Sequence, residues 1–196
     1  MRFENVSVLR KSYCGERLVL EGVSYEAQER GLDIIYAPPG AGKTTFLETA
    51  AGLIKPDAGS VKCSGEVHFL MQVPERGFTG LTCREEGGGD LSAVGLPDDV
   101  AELSPWLLSR GERKKLALAG ILNYNDINDN KFLLMDDPFT DLDAKGAETV
   151  AGVISSGKYG VLLATNRASD LSFFQRRKIM FRLFGLKGGK LRICSE

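Results

Sequence analysis

Asp33-Ile34-Ile35-Tyr36-Ala37-Pro38-Pro39-Gly40-Ala41-Gly42-Lys43-Thr44-Thr45 decides how the rest of the chain is read. Four largely apolar residues make a candidate buried strand, a Gly/Pro loop follows, and from Thr44 to Leu53 apolar residues recur at helical spacing. Strand, glycine-rich loop and helix in that order make the context in which Gly-Lys-Thr reads as a phosphate-binding loop. Gly40 and Gly42 let the backbone approach phosphate oxygens, successive N–H groups form a concave anion nest, and the helix adds its positive end. Pro39, Gly40, Ala41, Gly42, Lys43, Thr44 and Thr45 are therefore the candidate phosphate-binding residues. Lys43 is placed to bridge the β- and γ-phosphates of a nucleoside triphosphate, and the Thr44 hydroxyl to ligate Mg²⁺. Ala37 stands where such loops usually begin with Gly, which requires a negative φ there.

Working outward, the 196 residues suffice for one well-packed domain and are short for two. The 25 basic and 26 acidic residues nearly cancel, so no global field draws the chain to nucleic acid or an anionic membrane. Cys14, Cys63, Cys83 and Cys194 form no CxxC pair, which fits a reducing compartment and buried or free thiols. The first residues run straight into a strand-like alternation without a leader pattern, and no apolar stretch approaches the roughly 20 residues that cross a bilayer. His68 and Trp106, each the sole residue of its kind, read as packing residues.

Phe3–Leu9 and Leu18–Ser24 alternate around a turn and predict an antiparallel β beginning. Glu66–Met71, Phe132–Met135, Val161–Thr165 and Ile179–Leu183 are further predicted strands, with helices over Glu112–Leu122 and Ala144–Ile154. The implied core is a mostly parallel sheet with helices packed on it.

Two more segments carry chemistry. Phe132-Leu133-Leu134-Met135-Asp136-Asp137 is an apolar run ending in two carboxylates, and behind a phosphate loop Asp136 is placed to hold Mg²⁺, directly or through water. Leu108-Ser109-Arg110-Gly111-Glu112 opens a helix with Ser109 as N-cap and Gly111 able to approach a ligand closely, a second anion-binding helix start; standing alone it reads better as a capped surface helix with solvated charges.

Taken in order, these segments resemble an ABC-type ATPase over nearly the whole chain. Residues 37–45 match its Walker A loop, Leu108–Glu112 its Leu-Ser-Gly-Gly-Gln signature, Asp136 its Walker B aspartate and Thr140-Asp141-Leu142-Asp143 its D-loop. The resemblance implies that Tyr13 stacks on adenine, that Gln72 is the Q-loop glutamine acting at the metal and the reaction, and that Asn166 stands at the switch histidine. Within the family, Pro105–Gly120 and Gln72-Val73-Pro74-Glu75 are most similar to the energy-coupling-factor and cobalt-type importers. The implied fold is an α/β P-loop NTPase of ABC type: one nucleotide-binding domain over 1–196, with an antiparallel N-terminal β part and a helical sub-domain at about 75–120. That sub-domain is truncated, since Arg84-Glu85-Glu86 passes through Gly87-Gly88-Gly89 almost directly into Asp90–Leu96.

The resemblance further implies ATP and Mg²⁺ as cofactors and a head-to-tail pair in which each nucleotide lies between one chain's Walker A and the other's signature. It also implies integral membrane transport subunits as partners, no nucleic acid, and a cytoplasmic location on the inner face of the cell membrane. Two positions depart from the pattern. Asp137 replaces the family's water-polarising glutamate, withdrawing the carboxylate by about 1.5 Å, and Asn166 replaces histidine and cannot carry charge. Slow hydrolysis in the chain's own site follows, with Ser109 and Gly111 completing a site on a different second ATPase subunit, hence a heterodimer. A non-hydrolysing regulatory partner is the competing expectation. The absence of long heptad segments argues against a DNA-repair or chromosome-structure role.

Overall fold

The computed structural model describes residues 1–12, 15–124 and 131–195. β1 (Arg2–Ser12), β2 (Gly15–Glu26) and β4 (Ala58–Lys62) make an antiparallel sheet in the order β2-β1-β4. β3 (Gly31–Tyr36), β5 (Glu66–Leu70), β6 (Lys131–Asp136), β7 (Gly160–Thr165), β8 (Arg182–Lys187) and β9 (Lys190–Ser195) make a second sheet, ordered β5-β6-β7-β3-β8-β9. All its pairings are parallel except β8 with β9.

Strand periodicity sorts the core into two layers. On one face Leu32, Ile34, Leu133, Met135, Val161 and Leu163 pack with Leu116, Val150 and Ile154. On the other, Ile35, Phe132, Leu134, Leu162 and Ala164 pack with Val6, Val8, Phe46 and Leu47. Both faces are covered, which is why β6 and β7 read as continuous apolar runs rather than alternating ones. The helices are α1 (Lys43–Ala50), α2 (Cys83–Glu86), α3 (Arg110–Asn123), α4 (Ala144–Ser155) and α5 (Ala168–Arg176). α4 starts at Asp143, whose side chain accepts from the Gly146 N–H at 2.7 Å, and it buries Val150, Ala151 and Ile154 along one stripe. Phe3 of β1 stacks on Phe46 of α1 at 4.5 Å, fixing the antiparallel sheet over the helix that follows the phosphate loop.

Among the described residues between β5 and β6 only α3 has more than one turn; α2 has four residues, and short 3₁₀ turns lie in the stretch before it. The sequence expectation fails at one strand. Ile179–Leu183 is not β8: Lys178 turns at φ 55, the Ile179 N–H closes α5 on Phe174 O at 3.1 Å, and Ile179 and Phe181 pack on the core, so pairing starts at Arg182. Trp106 packs only at an edge: it is 56% exposed, against the Phe78 ring and the Arg113 guanidinium. His68 is half-buried beside Tyr124. Cys63 and Cys194 are exposed free thiols and Cys83 a buried one. Among the described residues no helix is long and apolar enough to cross a membrane.

Candidate nucleotide site

β3 ends at Tyr36 and the chain turns through 37–42 into α1, with Gly42 at the N-cap at φ 105. A Cβ at position 42 would lie 2.7 Å from Val19 Cγ1 of β2, so both the turn and the neighbouring strand require glycine there. Ala37 is not among the residues with positive φ, as its side chain demands. The buried Lys43 lies back along the loop, its Nζ donating to Ala37 O at 2.8 Å and to Pro38 O at 3.2 Å. These carbonyls hold the ammonium at the loop without neutralising its charge.

β6 delivers Asp136 beside the loop. It is 1% exposed, and its Oδ2 accepts from Thr44 Oγ1 at 2.6 Å. Burial pushes its carboxyl above the ordinary carboxylate range, with the Thr44 hydroxyl and Lys43 pulling the other way. The next residue, Asp137, sits at φ 46 with its N–H on Ala164 O at 2.9 Å. Asp136 Oδ1 and Asp137 Oδ1 are both buried without a hydrogen-bond partner among the described residues. Two orphaned carboxylate oxygens next to a threonine hydroxyl form a hard-oxygen donor set of the kind Mg²⁺ takes.

A cleft of about 310 Å³ opens on these groups. Of the residues singled out in the sequence, Pro39, Gly40, Gly42, Lys43, Thr44, Thr45, Gln72, Asp137 and Asn166 line it together, with Asp136 joined through Thr44. Ala41 is in the loop but not in the lining, and Tyr13 lies outside the described residues. Val19 lines it and was not foreseen. The turn carrying Asn166 is held by Thr165, whose hydroxyl donates to Asp170 Oδ2 at 2.6 Å and accepts from the Arg167 N–H at 3.1 Å.

Ser109 and Gly111 are not in this cleft. Ser109 caps α3 in a reciprocal box: its N–H and its hydroxyl donate to Glu112 Oε2 at 2.9 and 2.6 Å, and its Oγ accepts from the Glu112 N–H at 3.3 Å. These bonds hold the Glu112 carboxyl below its usual range. A Cβ on Gly111 would stand 2.4 Å from Asp141 O, so the helix start and the 140–143 turn are in backbone contact. Arg110, Lys114, Thr140 and Asp141 line a second cleft of about 370 Å³, and Gln72 belongs to both clefts.

No family model matches the chain. It is 31% identical over 183 residues to the aliphatic sulfonates import ATP-binding protein SsuB 1 of Nocardia farcinica, covering 85% of this chain and 72% of that protein. It is 31% identical over 174 residues to the cytochrome c biogenesis ATP-binding export protein CcmA of Gluconobacter oxydans, covering 83% and 78%. With the energy-coupling factor transporter ATP-binding protein EcfA2 of Acetivibrio thermocellus it shares 26% identity over 215 residues, covering 92% and 73%. Its fold superposes with TM-score 0.80, at 20% identity, on a dimeric ATP-binding cassette in a post-hydrolysis state bound to ADP and Pi, covering 99% of this chain and 97% of that one. It matches cbiO1 of Clostridium perfringens, part of the ABC transporter complex cbiONQ, with TM-score 0.67 and 17% identity, covering 97% and 86%. The chain belongs to the ATP-binding subunits of ABC transporters, a family of transport-coupled ATPases.

Proposed function

We propose that this chain is the slower half of a head-to-tail ATPase pair driving an importer of vitamin or metal-ion type. The observation that carries it is the company of Asp137 and Asn166: both line the cleft of Lys43 and Thr44, where a longer carboxylate and an imidazole would serve hydrolysis better. The loop binds the polyphosphate of ATP through its backbone N–H groups and Lys43. Asp136, Thr44 and Gln72 would hold Mg²⁺, which supplies charge neutralisation at the phosphates. Asp137 orients the attacking water, and Asn166 donates a hydrogen bond where developing charge is stabilised, both with short reach. On the family resemblance Tyr13 would stack on adenine, and Val19 lines the cleft.

Ser109, exposed at the start of α3, and the backbone at Gly111 complete the site of a second, different ATPase subunit, so turnover belongs to the heterodimer. The domain is single over 1–196, with the reduced helical region at about 75–120 meeting integral membrane subunits at the inner face of the membrane. The likeness to EcfA2, an energy-coupling factor transporter ATP-binding protein, and to SsuB 1, an aliphatic sulfonates import ATP-binding protein, supports the importer assignment.

ATP turnover by the purified chain alone is the test. Slow hydrolysis that Asp137→Glu accelerates supports the reading, whereas rapid wild-type hydrolysis overturns it. No gain in Asp137→Glu, together with tight ATP binding, makes the chain a non-hydrolysing regulatory partner.

A further inference from the structure

Lys114 lies in the middle of the basic run Arg113-Lys114-Lys115, yet it is only 2% exposed. Its Nζ donates to Asp137 O at 2.9 Å and to Thr140 O at 3.0 Å, bridging the ends of the turn that the Thr140 N–H closes on Asp137 O at 3.3 Å. Both flanks of that turn are left-handed at residues with side chains, Asp137 at φ 46 and Asp141 at φ 65, a conformation that persists only where surroundings over-determine it. We propose that Lys114 is a positioning residue: a buried cation on α3 that clamps residues 137–141 so that the Asp137 carboxylate faces the nucleotide cleft, and that makes this turn one rigid body with the Ser109–Gly111 helix start.

The charges around it fit. Burial lowers the Lys114 pKa, and the carboxylates of Asp141, Asp137 and Asp136 oppose that shift, while Arg167 works with burial. A methionine of similar length would fill the same space without desolvating a charge, so packing alone does not call for lysine. Two carbonyls three residues apart do, because a bridge between them needs a donor with several N–H groups. Lys115, by contrast, pairs with Asp143 at 3.1 Å and does not touch the turn carbonyls. The contact between Gly111 and Asp141 O gives the clamp its second attachment, three residues from Lys114 on the same helix face. A phosphate meeting the helix start therefore bears on the acid turn of the same chain.

This role rests on the reading of Asp137 as the water-orienting group. The experiment compares Lys114→Met, Lys114→Arg, Lys115→Met and Asp137→Asn in the full chain, measuring ATP turnover, affinity for a fluorescent ATP analogue, and amide hydrogen exchange across 137–141. Where wild-type turnover is too slow to compare, the same series is read in the Asp137→Glu background. Lys114→Met is expected to lose about tenfold or more in turnover while analogue affinity stays within about twofold. Exchange of the turn amides should rise by about tenfold with β6 unchanged. Lys114→Arg, which keeps the charge and the donors, recovers part of both, and Lys115→Met leaves both near the parent. Unchanged turnover and unchanged turn exchange in Lys114→Met overturn the proposal. So does exchange rising equally through α3 and β6, or failure of both Lys114 variants to fold, since the cation is then a fold residue only. If Asp137→Asn keeps full turnover while Lys114→Met still frees the turn, the role of Asp137 falls and the clamp remains a structural device alone.

Discussion

The cleft over residues 37–45 and the Ser109–Glu112 strip both lie at a helix start, and their polar groups are in opposite states. In the cleft, one oxygen of each acid, Asp136 Oδ1 and Asp137 Oδ1, is buried without a hydrogen-bond partner among the described residues. In the strip, every donor of Ser109 is already taken by Glu112 of the same helix. Buried polar atoms without partners cost stability until a ligand or water meets them, whereas a closed capping box stabilises the helix without one. The first region keeps acceptors available, and the second must exchange bonds it already has. On the proposed reading this is the division between the site the chain owns and the site it lends.

The sharpest way to break that contrast is Lys43→Ala. Removing the one cation held at the loop should weaken affinity for an ATP analogue by about a hundredfold, as loss of charge-assisted bonds to phosphate does. Binding within about twofold of wild type would end the distinction between the two regions. Next in size is Asp137→Glu, expected to raise turnover by about tenfold by restoring carboxylate reach. Ser109→Ala should cost about 1 kcal/mol of stability through the lost cap, lowering the melting temperature by roughly 2–4 °C, with ATP affinity of the chain's own site unchanged. A fall in that affinity would mean that one chain unites the two regions.

The smallest effect is a pH dependence of the strip. The Ser109 hydroxyl and N–H hold the folded Glu112 carboxyl below the ordinary glutamate value of 4.5. A depressed folded pKa contributes stability that is present above 4.5 and is lost as pH falls through the folded value. Glu112→Gln can keep the cap without the titration, so the difference in melting temperature between variant and wild type should shift in favour of the variant on going from about pH 6 to pH 3.

The parts of this architecture that rest on burial from both sides were legible in sequence. β6 and β7 carry uninterrupted apolar runs and β3 one broken by Asp33, and the loop after β3 follows from Gly-Lys-Thr in that position. β4 and β9 were not foreseen, because Ala58–Lys62 lies at a sheet edge with much of it exposed and Lys190–Ser195 mixes charge with apolar residues. α5 escaped because Asn166–Asp170 reads as a polar loop, although the buried Asp170 is what fixes that turn.

The cleft was legible in its local segments and illegible where strands distant in sequence meet. Nothing near Val19 announces that β2 passes over the loop. Lys114 hid in a basic run, yet its helical phase gave a usable signal: Gly111, Lys114 and Leu118 share the face that packs inward, whereas Arg113 and Lys115 flank it.

Tyr25 of β2 donates to Asp33 Oδ2 at 2.6 Å, and Arg182 of β8 grips both oxygens of Asp33 at 2.7 Å. The three residues come from both sheets, so the antiparallel sheet cannot peel from the parallel one without leaving a carboxylate or a guanidinium stranded at a largely apolar boundary, a penalty of about 3–5 kcal/mol for a buried pair. Partial melting of either sheet is thereby penalised beyond the loss of its own packing. Heat or denaturant should meet one cooperative transition, with calorimetric and van't Hoff enthalpies in agreement.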